Sequence, residues 1–275
     1  MEHETVTPFP AEQSPVRRSL RATFDDELDA LRDDVLRLGG RVVDALERAE
    51  RALVDRDVDL ADKVRWEDAE TNELQRRVNA EITTMIATQQ PMARDVRILL
   101  GLHHAAAELE RMGDYAVNIA KLAQQMASEP ETPIFPQIPR MVQICREQLR
   151  AAMRALVDIS EDEARAVCAR DDEIDHLYSE VYEAAVALME KSPDRARQAT
   201  HQLFAAHHLE RLGDRVSALC SGDGQSWFTV GAVDFPVGDP LEVGLHAIGA
   251  IDRAIYPGAY PEGTAIRFER FELWT

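Results

Sequence analysis

Two carboxylates one helical turn apart, with a glycine between them, occur twice in this chain. Glu110 and Asp114 lie in "LERMGDYAVNIA", residues 109–120, and Glu210 and Asp214 lie in "LERLGDRVSALC", residues 209–220. In a helix each arrangement is locally unfavourable. Like charges at i and i+4 cost a few tenths of a kcal/mol, and an interior glycine costs about 1 kcal/mol relative to alanine. A shift of 100 residues superposes Leu109, Glu110, Arg111, Gly113 and Asp114 on Leu209, Glu210, Arg211, Gly213 and Asp214, so the same faults recur at the same place. Carboxylates gathered on one face suit a hard cation that takes oxygen ligands, such as Mg, Mn, Ca or iron.

Whether they gather depends on the neighbouring helix. On a helical wheel Leu109, Met112, Ala116 and Ile119 face the core. Glu110 and Asp114 then stand about 100° around from that stripe, toward an adjacent helix. Folding the chain back about Gln89 and Gln90 sets 110 opposite about 69 and 114 opposite about 65. There the sequence reads "WEDAETN", with Glu67, Asp68 and Asn72. In the second repeat a fold about Ser192 sets 210 opposite about 174, within "RDDEID", which holds Asp171, Asp172 and Asp175. The expected ligands are Asp68, Glu110 and Asp114 in the first repeat, and Asp171, Asp175, Glu210 and Asp214 in the second. Two readings stay open. Crowded carboxylates need protons, Lys or Arg, or a metal to offset their repulsion. Alternatively they form a solvated face paired locally with Arg111 or Arg211, for well under 1 kcal/mol. The glycines either clear space for ligands or let helices approach closely. His207 lies three residues before Glu210, but the first repeat has Ala107 there. A surface or helix-shoulder role is therefore expected for His103, His104, His207 and His208, and a packing role for Trp66.

Long amphipathic helices must position these groups. Leu28, Leu31, Val35, Leu38, Val42, Leu46, Ala49 and Leu53 predict a helix over 24–56, with Thr23 and Asp26 as a capping-box-like start. A second helix is predicted over 58–87, and a third from Pro91, placed in its first turn, to about 127. Pro130, Pro133, Pro136 and Pro139 mark a linker without helix. Helices over 140–158, 161–191 and 193–220 repeat the first set. The expected fold is all-α, two tandem antiparallel three-helix bundles. The division runs as a polar leader without order (1–19), a first bundle (20–128), a linker (129–139), a second bundle (140–220) and a non-helical tail (221–275). The tail holds eight of the thirteen glycines and half the aromatic residues, and a frameshift or sequence junction explains it as well as a domain does.

Composition narrows the function. A formal net charge of −19 over 275 residues argues against nucleic-acid binding. Three cysteines without a CxxC pair fit buried thiols in a reducing compartment. No secretory leader and no membrane span is visible, so the expected location is the cytoplasm. No GxSxG, P-loop, HExxH or dinucleotide motif occurs, and the chain is expected not to be an enzyme. The competing classes are a metal-dependent all-helical nucleotide pyrophosphohydrolase and a purely structural scaffold. The hydrolase needs ExxE and ExxD spacings and a phosphate-gripping Lys or Arg beside the metals, whereas the spacing here is ExxxD and lysine is scarce, with Lys63 the nearest candidate.

The segments "FDDELDALRDDVLRLGGRVVDALERA" and "TQQPMARDVRILLGL", with the twinned motifs above, closely resemble the PhoU family of phosphate-uptake regulators over about 20–220. That resemblance implies two three-helix bundles whose E(D)xxxD motifs, in some members, hold multinuclear clusters of iron or another metal (Mg, Mn or Zn). It also implies a cytoplasmic homodimeric adaptor, touching the membrane only through its partners. Those partners are the phosphate ABC transporter ATPase and a phosphate-sensing histidine kinase, with which it represses the starvation response when phosphate is plentiful. Glu110, Asp114, Glu210 and Asp214 occupy the repeated motif. Asn118 continues its register in the first copy, whereas Ala218 stands there in the second, so a weaker second site is expected.

Overall fold

The computed structural model describes residues 15–158 and 160–220. The beginning of the expected leader and the whole of the expected tail lie outside the described residues. The first bundle consists of α1 (Pro15–Asp55), α2 (Val58–Gln89) and α3 (Ala93–Ala127). The second consists of α4 (Gln137–Asp158), α5 (Glu161–Cys168), α6 (Asp171–Lys191) and α7 (Ala196–Cys220), with a single 3-10 turn at Pro193–Arg195. Among the described residues there is no strand, and no helix is long and apolar enough to cross a membrane.

Apolar periodicity accounts for these elements. The α1 stripe from Leu28 to Leu53 is buried against α2 and α3, as are Leu74, Val78, Ile82 and Met85 of α2 and Leu109, Met112, Ala116 and Ile119 of α3. Two residues in the left-handed region make the reversals, Arg56 (φ 56°) between α1 and α2 and Gln90 (φ 47°) between α2 and α3. Asp57 caps α2 by accepting from the Leu60 N–H at 2.9 Å, which satisfies one of the helix's unpaired N-terminal donors. The Arg56 guanidinium donates to the carbonyls of Ala127 and Glu129 and so ties this turn to the end of α3. The linker is fastened by Gln202, which is fully buried. It accepts from the Phe135 N–H at 2.7 Å and donates to the Pro133 carbonyl at 3.1 Å.

The bundles pack on each other through α3 against α7 and α1 against α4. At the second contact a Cβ on Gly39 would stand 2.9 Å from Met153 Cγ, so glycine permits the close approach. Burial pushes the Cys145 thiol up to about 12, and it donates to the Leu209 carbonyl at 3.5 Å. Cys220 is likewise raised to about 12 by burial.

Several local expectations are revised. Helix α1 begins at Pro15, not near residue 24, so Thr23 lies inside a helix rather than at its N-cap. Pro at the first helical position is favourable because its missing N–H has no intrahelical partner there. Pro91 precedes α3, whose cap is Met92. Pro139 lies in the first turn of α4 rather than in a linker, where it costs no helical hydrogen bond. The single helix expected over 161–191 is two helices: the Arg170 N–H bonds the Val167 carbonyl and the Glu173 N–H bonds the Arg170 carbonyl, each three residues back, so the four-residue ladder is interrupted between α5 and α6. Trp66 does not pack; it is 78% exposed.

Candidate functional site

In the first bundle the antiparallel α2–α3 pair brings Asp68 beside Glu110 and Asp114. The Asp68 carboxyl is held above its usual range, by burial first and then by the charge of Asp114, with Asn72, Lys121 and Arg41 acting in the opposite sense. Glu110 is raised too, by burial, then by Asp114 and Asp68, against a smaller lowering from Arg111. Three acids on two helices therefore feel one another. Asn72 Nδ2 donates to Asp68 at 2.9 Å, and Asn72 Oδ1 is buried without a hydrogen-bond partner. The local pairing considered for Arg111 goes elsewhere: its guanidinium meets Glu108 at 2.8 Å.

The second bundle repeats the arrangement with different flanking groups. One oxygen each from Asp175, Glu210 and Asp214 lie within 4.8 Å of one another. Glu210 is raised by burial and then by Asp214, with His207 and Arg211 lowering it and Asp175 raising it. Glu210 Oε2 is buried without a hydrogen-bond partner, and His207 Nδ1 stands 3.5 Å from it. Arg211 pairs with Asp214 at 2.9 Å. Asp171 is the first residue of α6, the helix that carries Asp175, and its side chain lies outside what the structure describes.

The two glycines differ. A Cβ on Gly213 would meet Ile174 Cδ1 at 2.7 Å, so this glycine serves the close approach of α6 and α7. A Cβ on Gly113 would meet nothing nearer than 3.7 Å, where Asp68 Oδ1 and Thr71 Cγ2 lie. Gly113 also lines a cavity of about 20 Å³, walled in part by Asp68, Glu67, Arg41 and Arg48, which is room for one water.

Sequence spacing gave no sign of the groups that join the two clusters' helices. Glu108, 3% exposed, receives Arg111 of its own helix at 2.8 Å and Arg215 of α7 at 3.3 Å. Tyr115, next to Asp114, stacks on His208 with ring centroids 5.9 Å apart. In the first repeat Glu108 occupies the position that His208 fills in the second, a departure from the repeat that could have drawn attention to it.

A duplicated pair of antiparallel helical bundles, each bringing acids of two helices together, is a class of all-helical, internally duplicated protein. The PhoU domain model matches residues 35–123 and again 138–221. The chain belongs to the PhoU family. It is 29% identical over 201 residues to a phosphate-specific transport system accessory protein PhoU homolog of Clostridium acetobutylicum, covering 73% of this chain and 92% of the relative. It is 30% identical over 201 residues to a relative of the same description in Rhizobium meliloti, covering 73% of this chain and 85% of that one. The crystal structure of PhoU from Pseudomonas aeruginosa superposes with a TM-score of 0.69 at 28% identity, over 72% of this chain and 95% of that one.

Proposed function

We propose that this chain is a non-enzymatic accessory protein of phosphate uptake. In this reading it is a cytoplasmic, homodimeric adaptor that joins the phosphate ABC transporter ATPase to a phosphate-sensing histidine kinase and represses the starvation response. Family membership and the accessory role named for the relatives support the reading. The observation that carries it is the twinned carboxylate cluster, kept in both bundles despite its local cost to the helices. Arg111 and Arg211 are engaged by Glu108 and Asp214, which favours a binding face over a phosphate-gripping catalytic centre.

The donor set fits a metal. In the second bundle the oxygens of Asp175, Glu210 and Asp214, within 4.8 Å of one another, can share a cation whose oxygen ligands stand at about 2.3–2.6 Å, and a modest contraction suits a smaller ion; in the first bundle Asp68, Glu110 and Asp114 lie near enough for their charges to be felt between them. The unpartnered Glu210 Oε2 and Asn72 Oδ1 are groups whose burial calls for a partner. Asp68, Glu110 and Asp114 hold one ion or cluster in this reading, and Asp175, Glu210 and Asp214 the other, with iron, Mg, Mn or Zn as candidates. A bound cation supplies charge neutralisation. The chain's own residues then set α2 against α3, and α6 against α7, in a fixed register for partners.

Co-purification of the ATPase and the kinase with the wild-type chain, and with Glu110→Ala/Glu210→Ala, tests the link between acids and adaptor. Binding by wild type, with at least about a tenfold loss of affinity in the double variant, supports it. Equal binding by both proteins contradicts the link, and turnover of a nucleotide substrate contradicts the non-enzymatic reading.

A further inference from the structure

We propose that the outer face of α6 and α7 docks a basic amphipathic helix of a partner protein. Two of the large apolar side chains left exposed among the described residues, Tyr182 (50%) and Phe204 (52%), share this face. The register of the antiparallel pair is fixed by Ile174 beside Gly213 and by the Tyr178 and His207 rings, whose centroids are 6.1 Å apart. Tyr182, one turn beyond Tyr178, therefore comes level with Phe204, about one turn before His207. Half-buried Leu203 lies between them, and half-buried Val186 and Met189 extend the strip along α6. The fold does not call for these rings. A shift of 100 residues puts His104 at the position of Phe204 and Ala107 at that of His207, so the first bundle packs the equivalent helix without them. Aromatic side chains held in water on a packed helix pair are the kind that anchor protein interfaces.

Charge selects the occupant. Helix α6 carries seven Asp and Glu against a single lysine, Lys191. On its wheel Asp172, Glu183 and Glu190 form one flank of the aromatic strip, about 80–100° around from Tyr182. All three are exposed, and none forms an ion pair among the described residues. A helix laid along this face sets its apolar ridge on Tyr182, Leu203 and Phe204. Its Lys and Arg then reach the flanking carboxylates through charge-assisted hydrogen bonds and the ring faces through cation–π attraction, while their stems cover Val186 and Met189. A second copy of this chain is a poor occupant, because α6 would set its acids against acids. Residues 221–275 are a poor one too, with eight Asp and Glu against three Arg. The inference gives the adaptor a docking surface and rests on that reading for the existence of a protein partner. None of the three flanking acids belongs to the carboxylate clusters, so the metal is not involved.

Fluorescence anisotropy of a labelled synthetic helix of about five turns, with a leucine ridge flanked by Arg, tests the proposal against the full chain; the same helix flanked by Glu is the comparison. Saturable binding of the Arg helix is expected, with the Glu helix at least about tenfold weaker. Tyr182→Ala/Phe204→Ala should weaken binding at least about tenfold at an unchanged melting temperature. Asp172→Asn/Glu183→Gln/Glu190→Gln should weaken it and flatten its fall with added salt. Trp66→Ala/Met92→Ala, exposed apolar residues elsewhere, should change nothing. Absence of saturable binding overturns the proposal, as does equal loss in the Trp66 and Met92 variant, which would mean adhesion to any apolar surface. Self-association that Tyr182→Ala/Phe204→Ala abolishes in sedimentation would give the face to a second copy and overturn it likewise. If the aromatic variant does not fold, unchanged affinity in the triple acid variant overturns it instead. Failure here leaves co-purification of the ATPase and kinase to decide the adaptor reading separately.

Discussion

At the scale of residues, Asp68, Glu110 and Glu210 share one signature: burial comes first and a neighbouring carboxylate second in holding each above its usual range. The native state therefore binds more protons than the unfolded chain as pH rises from the ordinary carboxylate value to the raised one. Stability from these groups falls across that window and stays reduced above it. In chelator, melting curves between about pH 4 and 7 should show Glu110→Gln flattening this fall and raising the melting temperature at neutral pH. A lowered neutral melting temperature would contradict the repulsion. Asp68 and Asp175 are legible in the sequence because hairpin register is simple arithmetic once the reversals are found, and the first falls at Gln90 in the structure. Glu108 is not legible in the same way, because its partner Arg215 is 107 residues distant in the other bundle and no local spacing reports that contact.

At the scale of elements, the long helices are legible because their apolar stripes run unbroken for many turns. The corner between α5 and α6 is not, for the same reason. Ala164, Val167, Ile174 and Val181 are all buried and keep a helical phase straight across Ala169 and Arg170, so periodicity predicts one helix. Nor does the repeat reveal that its two glycines serve different ends. Gly113→Ala gains up to about 1 kcal/mol of helix propensity with only ordinary contacts to make, the nearest at 3.7 Å. Gly213→Ala must first displace Ile174 Cδ1 from 2.7 Å. Chemical denaturation should therefore show Gly113→Ala to be the more stable of the two variants, and the reverse order would contradict the packing described for α6 and α7.

At the scale of the whole molecule, α3 and α7 each carry an acidic motif and pack on each other, so the contact between bundles is also the contact between the helices of the two candidate sites. Glu108 of α3 crosses that contact to Arg215 of α7 while also holding Arg111, and Tyr115 of α3 stacks on His208 of α7. Arg215→Ala leaves a buried carboxylate with one guanidinium instead of two and should cost about 1–3 kcal/mol. Glu108→Gln in the same chain should recover part of the loss, read by denaturant midpoint; no loss at all would make this pair incidental to the docking of the bundles. The claim that organises the account is that both carboxylate clusters hold metal, and elemental analysis of the purified full chain tests it most directly. Wild-type protein prepared in metal-supplemented medium without chelator should retain bound metal, Glu110→Ala and Glu210→Ala should each lose part of it, and the double variant should lose it nearly completely while keeping its helical spectrum. Metal content undiminished in the folded double variant, or wild-type protein that binds none, would contradict the account.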